Sequence, residues 1–268
     1  MKGLLYAATE LRVYVSFSDG AHWQPLQLNM PAVSVRDLIV HGDDLDIATH
    51  GRGFWVLDQM SALRQLATKG AEIVASPAYL FAPGTSLALV PGAEDGTPLP
   101  PEEPQEKNPP GGVLAYYWLK SPPTTPLKLE LLDSKGEVRA CAASDAPVMP
   151  VDTEKIDVQA IWREPPPPPV ATAGMHRFAL NVKQGGGGEF GSSPAEPAPQ
   201  DACTGSVPPM PPAVRGAGRR RLVALEPGGY TVRLSVDGKT YTQPAEVAPD
   251  PRGAHPYDSG NDADNHNN

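Results

Sequence analysis

The sequence predicts an all-β protein, with incomplete β-propeller blades followed by an Ig-like β-sandwich and long Pro- and Gly-rich loops. The first observation is a self-match at a shift of forty positions, which aligns Leu5 with Leu45, Ala8 with Ala48, Thr9 with Thr49, Arg12 with Arg52 and Tyr14 with Phe54. A period near 40 residues is typical of propeller blades. The second is an Asp-Gly pair at 237–238 between alternating strands, which predicts a tight hairpin.

Composition narrows the classes of protein to which the chain can belong. It has 268 residues, including 33 Pro and 26 Gly, and a formal net charge of −9. The acidic balance argues against nucleic acid as a partner, because a phosphate backbone attracts basic surfaces. No apolar run approaches the roughly 20 residues of a membrane helix, so we expect no membrane span.

The two cysteines, Cys141 and Cys203, leave two states open: they pair in an oxidising compartment, or they remain thiols. No Cys-x-x-Cys or Cys/His cluster is present, so we expect no structural metal site, and no motif indicates a cofactor. The apolar run of Met1–Ala8 ends at Glu10 and is too short for a signal peptide. We interpret this segment as a strand.

Residues 1–66 are interpreted as a remnant of propeller blades. Six short strands are predicted, at Leu4–Thr9, Arg12–Phe17, Trp23–Leu28, Val35–His41, Leu45–Thr49 and Phe54–Leu57. They supply three strands of one blade, without its first, and three strands of the next, without its fourth. Because a propeller typically closes with four to eight blades, two partial blades leave open edges. We therefore expect Met1 to lie inside a longer protein.

Ser16–Trp23 resembles the Asp-box, or BNR, repeat, whose pattern is Ser-x-Asp-x-Gly-x-x-Trp. Ser16, Gly20 and Trp23 match, whereas Ser18 stands in the Asp position and Asp19 follows one place late. The resemblance implies a structural turn between the third and fourth strands of a blade, in which Gly supplies a special backbone angle and Trp plugs the blade edge. With Ser18 in place of Asp, we expect a looser turn.

Beyond the blades we expect a Pro-rich linker at 67–112, an Ig-like β-sandwich at 113–248 and a disordered tail at 249–268. A single helical turn is predicted at Ser61–Leu66. The sandwich would carry a low-complexity insertion at about 185–218. These boundaries follow the shifts in composition along the chain.

The last predicted unit is a hairpin entered through Pro227-Gly228-Gly229-Tyr230. This entry is similar to the tyrosine corner of Ig-like domains, which marks Tyr230 as a structural residue. Asp237 and Gly238 are predicted to form a two-residue turn in which both residues have positive φ. We expect Val236 to pair with Lys239 and Leu234 with Tyr241.

Four segments in this order resemble one family: Ser16–Trp23, Ala48–Asp58, Thr97–Pro104 and Gly228–Gln243. The chain is similar to large bacterial BNR-repeat proteins, often labelled glycosyl hydrolase or sortilin N-terminal-like (VPS10-type). The resemblance implies an extracytoplasmic propeller protein with a Pro-rich linker and an Ig-like domain like that of flagellar hook-capping proteins. It covers roughly residues 3–120 and 220–252.

His50 and Arg52 are the first candidate binding residues, in a tight loop at a blade end. One interpretation is contact with a ligand at the mouth of the propeller. The other is hydrogen bonding that closes the ring, with Gly51 and Gly53 present for their backbone angles.

Asp43 and Asp44 are the second pair of candidate binding residues, in the turn before the fifth strand. Glycoside hydrolysis needs two carboxyl groups about 5–10 Å apart, one of them with a raised pKa. The alternative is a pair of solvated turn carboxylates. No complete catalytic set is recognisable in the chain.

The sequence and the resemblance together predict two alternative functions. The first is a non-catalytic C-terminal portion of an extracytoplasmic BNR/sortilin-like propeller protein that binds a carbohydrate or a protein. The alternative is the closing segment of a BNR-repeat glycoside hydrolase whose catalytic residues lie mostly outside this chain.

Overall fold

The computed structural model describes residues 1–88, 111–148, 167–180 and 225–251, and this part of the chain is mostly β-sheet with one helix, α1 (Ser61–Ala75). The predicted all-β class is therefore confirmed. The strands are β1 (Leu5–Ala8), β2 (Val13–Ser16), β3 (Gln24–Pro25), β4 (Val35–His41), β5 (Asp44–Thr49), β6 (Phe54–Leu57), β7 (Ala78–Leu80), β8 (Ser86–Leu87), β9 (Val113–Leu119), β10 (Lys128–Leu132), β11 (Val138–Ala143), β12 (Gly174–Leu180), β13 (Gly228–Val236) and β14 (Lys239–Ala248).

The first six strands form two antiparallel meanders of three strands each. The first meander has the order β1-β2-β3, and the second has the order β4-β5-β6. Side chains alternate between the two faces of such a strand, so each meander has two distinct faces. The meanders pack on one another around a shared core of Val13, Met30, Val33, Val35, Leu45, Ile47 and Met60.

The two meanders have the same strand order, and their corresponding loops contain a similar hydrogen bond. Thr9 donates its hydroxyl to the carbonyl of Arg12 at 2.8 Å, and Thr49 donates its hydroxyl to the carbonyl of Gly53 at 2.7 Å. The second loop is one residue longer. The predicted alignment of Tyr14 with Phe54 is therefore one residue out: Val13 pairs with Ala8, and Phe54 pairs with Ala48. Phe54 is thus the counterpart of Val13.

Helix α1 is longer than the predicted turn at Ser61–Leu66, because it runs to Ala75. Its apolar side covers one face of β9, where Ala62 and Ile73 are buried against Leu114 and Tyr116. Met60 precedes the helix without a side-chain cap. Tertiary packing stabilises most short helices, so the end of a helix without cap signals cannot be predicted from the local sequence.

The remaining strands form two sheets, with the orders β12-β9-β7 and β11-β10-β13-β14-β8. All pairings are antiparallel except β8 with β14, which is parallel. The two sheets share a second core that includes Tyr117, Leu129 and Leu234. Strands β7 and β8 belong to these sheets although they lie in the segment predicted as linker, 67–112.

Strand β9 contributes to both sides of its sheet. Tyr117 and Leu119 point into the core between the two sheets, whereas Tyr116 and Trp118 lie on the helix side. Alternating direction along a strand explains this division. The aromatic run of the sequence thus supplies two cores.

Several predictions concern residues outside the described part of the chain. They include residues 89–110 of the predicted Pro-rich linker, the low-complexity insertion at about 185–218, Cys203 and the tail beyond residue 251. Within the described ranges, no helix is long and apolar enough to cross a membrane.

Candidate functional site

The four candidate binding residues lie at opposite ends of the second meander. His50 and Arg52 are in the loop after β5, whereas Asp43 and Asp44 are at its start. Strand β5 has six residues, which at about 3.3 Å per residue separates the two pairs by about 20 Å. The structure therefore does not bring them together into one site.

The loop at His50–Gly53 is closed by its own hydrogen bonds. Gly51 and Gly53 have φ angles of 88° and 66°, which favour glycine. The indole of Trp55 donates to the carbonyl of Arg52 at 3.1 Å, and the amide of His50 donates to the carbonyl of Ser34 at 2.8 Å. Both His50 and Arg52 are exposed. The loop is a hydrogen-bonded turn that contains two exposed basic residues.

Asp43 joins the second meander to helix α1. Its carboxylate forms an ion pair with Arg64, which also donates to the carbonyl of Gly42 at 2.9 Å. Its carbonyl accepts the amide of Met60 at 2.6 Å. Burial raises the pKa of Asp43, Arg64 opposes this rise, and Asp44 adds to it. These contacts give Asp43 a structural role at the start of the helix.

Asp44 fixes the connection between β6 and α1. Its carboxylate accepts the amide of Gln59 at 2.8 Å, and Gln59 has a φ of 53°, unusual for a residue other than glycine. Asp43 and Asp44 are both partly buried, so they are not the solvated turn carboxylates of the alternative interpretation. The turn contacts Arg64 and Gln59 instead.

A row of carboxylates begins at Asp44, and it contains one member, Asp58, that sequence reasoning missed. The pairing of Leu45 with Leu57 places Asp58 opposite Asp44, and Asp46 lies two residues further along β5 on the same face, about 7 Å away. Burial raises the pKa of Asp58, Asp44 and Asp46 add to the rise, and Arg177 opposes it. The alternation of Asp44 and Asp46 was visible in the sequence, but the position of Asp58 depends on strand register.

Tyr116 connects this carboxylate row to the C-terminal sheets. Its hydroxyl donates to the backbone carbonyl of Asp58 at 3.3 Å. Burial raises the pKa of Tyr116, and the neighbouring Arg177 opposes the rise. A half-buried carboxyl, a guanidinium and a phenol therefore meet at one end of the row.

The turn at Ser16–Trp23, predicted from its resemblance to the Asp-box, is held by serine hydroxyls. The Ser16 hydroxyl accepts the amide of Gly20 at 2.9 Å, and the Ser18 hydroxyl accepts the amide of His22 at 2.9 Å. Ser18 thus makes the kind of bond to a turn amide that the motif assigns to Asp. Asp19 and Gly20 both have positive φ, at 55° and 88°.

Trp23 lies on the outer side of the first meander. A Cβ placed on Gly20 would lie 3.6 Å from the Leu5 side chain and 3.8 Å from that of Trp23. Leu5 and Trp23 are 38% and 42% exposed. They form an apolar surface that the described part of the chain does not fully cover.

The second meander also has an outer face, formed by Asp37, Ile39, Asp46, Ala48, Phe54 and Val56. Phe54 is 84% exposed, and Ile39 and Val56 are 60% and 50% exposed. Exposed apolar patches of this kind mark interaction surfaces more often than scattered single residues do.

The C-terminal hairpin carries two side-chain clamps. The Tyr230 hydroxyl donates to the carbonyl of Glu226 at 2.9 Å. Asp237 and Gly238 have positive φ, as predicted, and the pairs Val236–Lys239 and Leu234–Tyr241 are confirmed. The Asp237 carboxylate also accepts the amides of Thr124 and Thr125, at 2.8 and 3.1 Å.

Among the described residues, no group of three or more His, Cys, Asp or Glu side chains is arranged to hold a metal ion. A scan against protein-family models finds no match, and searches of curated proteins and of solved structures find no significant similarity to the chain.

Proposed function

We propose that this chain is a non-catalytic binding portion of an extracytoplasmic protein of the BNR or sortilin-like propeller type. The observation that carries the proposal is the packing of the two meanders. They are copies of one unit, yet they pack through different faces: Tyr6 and Val13 of the first meander contact the face of Leu45 and Ile47 in the second. Consecutive propeller blades stack in this way, so that each blade offers a further face to the next.

The C-terminal sheets support an Ig-like domain beside the blades. Ig-like sandwiches pack two mainly antiparallel sheets over a common core, and their tyrosine corner bonds a hydroxyl to the backbone a few residues upstream. The three- and five-stranded sheets and the bond from Tyr230 to Glu226 agree with both features. Such a domain would serve as a spacer or docking unit.

The extracytoplasmic assignment draws on cysteine chemistry. Cys141 in β11 is disulfide-bonded. Disulfides persist in oxidising compartments and are rare in the cytosol.

We place ligand contact at the loop of His50 and Arg52. Both residues are exposed, and Arg12 lies in the corresponding loop of the first meander. Guanidinium and imidazole groups donate hydrogen bonds to sugar hydroxyls and to acidic groups of proteins. A carbohydrate or an acidic protein segment is therefore the expected ligand.

A glycan array and calorimetry with the 268-residue chain test this proposal. We expect binding to a defined glycan class and at least a tenfold loss of affinity in Arg52→Ala or His50→Ala. The control Lys239→Ala, which changes a residue of the distant hairpin, should leave the affinity unchanged. Equal binding by all variants, or a silent array together with no binding to acidic peptides, would refute the assignment.

A second candidate function, glycoside hydrolysis, is favoured by the carboxylate row. Burial raises the pKa of Asp58, which lies beside Asp44 and Asp46, and glycosidases use a pair of carboxyl groups of which one has a raised pKa. Release of reducing sugar from an oligosaccharide panel, abolished in Asp58→Asn and Asp46→Asn but not in Asp37→Asn, would support it. No turnover across the panel would exclude hydrolysis by this row.

A further inference from the structure

We propose that copies of this chain associate head to tail, with the outer face of the first meander of one copy packed on the outer face of the second meander of another. Within one chain, one face of the first meander packs on one face of the second. The contact between copies would pair the equivalents of these two faces. The inference rests on the proposed interpretation of the meanders as blades.

Counterparts in the two copies of the repeat differ in burial on one face. Val13 is 0% exposed, because the second meander covers it, and Val15 on the same face is 3% exposed. Their counterparts Phe54 and Val56 are 84% and 50% exposed. The outer face of the second meander is therefore the equivalent of a face that is buried elsewhere in the same molecule.

On the opposite faces, the residue of the second meander is buried and its counterpart in the first meander is exposed. Leu45 is fully buried, whereas its counterpart Leu5 is 38% exposed beside Trp23. The outer face of the first meander is thus the equivalent of the surface on which the first meander itself packs. Every copy of the chain carries both halves of the contact, so no other protein is needed to complete it.

A contact between two different faces is heterologous and can close into a ring. Each copy brings two blades, and propellers typically have four to eight, so closed rings would contain two to four copies. The three short strands offer less than the roughly 800 Å² per partner of a stable interface. We therefore expect association at protein concentrations on the order of 100 μM, with ring closure adding to each single contact.

Asp46 lies in the middle of the outer face of the second meander, where the first meander has Tyr6. A carboxylate buried in a contact loses hydration, which opposes association. The isosteric change Asp46→Asn should therefore shift the association to lower protein concentration by several-fold.

Sedimentation velocity with two complementary variants tests the proposal. Phe54→Asp removes one face and Leu5→Asp removes the other, so each variant alone should be monomeric. A mixture of the two retains one intact contact and should form a species of two chains and none larger. The control Val74→Asp changes an exposed apolar residue of α1 and should associate like the unaltered chain.

Thermal unfolding of each variant, matching that of the unaltered chain, shows that loss of association is not loss of folding. An unaltered chain that stays monomeric at several hundred μM overturns the proposal. So does association that Leu5→Asp leaves intact, because that result indicates a symmetric contact. Either failure leaves the ligand test at His50 and Arg52 unaffected.

Discussion

Val13 and Phe54 occupy corresponding positions in the two meanders, each paired with an alanine of the neighbouring strand, yet Val13 is fully buried and Phe54 is 84% exposed. The difference arises because the second meander covers the first, while no described part of the chain covers the second to the same degree. This asymmetry is the main reason for interpreting the meanders as members of a longer array.

The threonine bonds that close the two corresponding loops predict matched losses of stability. Thr9→Val and Thr49→Val each remove a hydroxyl bond to a loop carbonyl, at 2.8 and 2.7 Å. Thr9→Val also removes an acceptor for the exposed amides of Leu11 and Arg12, which water can replace. We expect each change to lower the free energy of unfolding by about 1 kcal/mol. Urea denaturation measures it, with Thr240→Val on β14 as a control. A loss in only one of the two variants would contradict the equivalence of the loops.

Glu130 predicts a dependence of stability on acid. Its side chain is 5% exposed and bonded to Arg233 at 2.6 Å and to Lys128 at 2.8 Å. Burial acts to raise the pKa of Glu130, but these bonds outweigh burial and hold the pKa below its ordinary value. The carboxylate therefore contributes stability that is present at neutral pH and is lost as pH falls through the lowered pKa.

Replacing Glu130 with Gln should cost about 1–3 kcal/mol at pH 7 and little once the pH is below the pKa of the native carboxyl. Urea unfolding between pH 2 and pH 7 measures both quantities. A cost that stays the same across this range would mean that shape, and not charge, holds the site together.

Asp58 should change stability with pH in the opposite direction to Glu130. Burial, together with Asp44 and Asp46, raises its pKa, so the folded chain holds the proton more tightly than the unfolded chain does. Its contribution to stability is present below the unfolded pKa of about 3.9 and is lost as pH rises through the folded pKa. Asp58→Asn should remove this loss and unfold at an equal or higher urea concentration at pH 7. A lower midpoint for the variant at pH 7 would contradict the assignment.

Asp237 predicts local protection of a distant loop. Its carboxylate accepts the amides of Thr124 and Thr125, and hydrogen bonds from both threonines hold the pKa of Asp237 below its ordinary value. Asp237→Gly keeps a residue that tolerates positive φ but removes the acceptor. Hydrogen exchange at Thr124 and Thr125 should then become faster at pH 7, while Asp237→Asn should retain part of the protection. Unchanged exchange in the Gly variant would exclude the clamp.

Local chemistry made the strand class and the hairpins predictable. Alternating apolar residues define β5 and β10, and the Asp-Gly pair at 237–238 fixes a turn because both residues accept positive φ. Such signals are contained in a few neighbouring residues. They identify strands and turns, but not the strands of other segments with which they pair.

Features set by distant contacts could not be read from the sequence. The end of α1 depends on Ile73 packing against β9, and the burial of Glu130 depends on Arg233, 103 residues away. The carboxylate row likewise depends on the register that brings Asp58 opposite Asp44. The candidates Asp43 and Asp44 were found as a pair, but their contacts with Arg64 and Gln59 required the fold.

We infer that the two meanders are blades of a larger array. The native mass of the protein tests this inference. An antibody against the hairpin at 228–248 would detect the protein after native electrophoresis of an extract from its source. We expect an assembly well above the 28.4 kDa of one chain. A native species of 28.4 kDa, found both in the extract and with the purified chain at several hundred μM, would contradict this expectation, because the outer faces of both meanders would then be solvent surfaces.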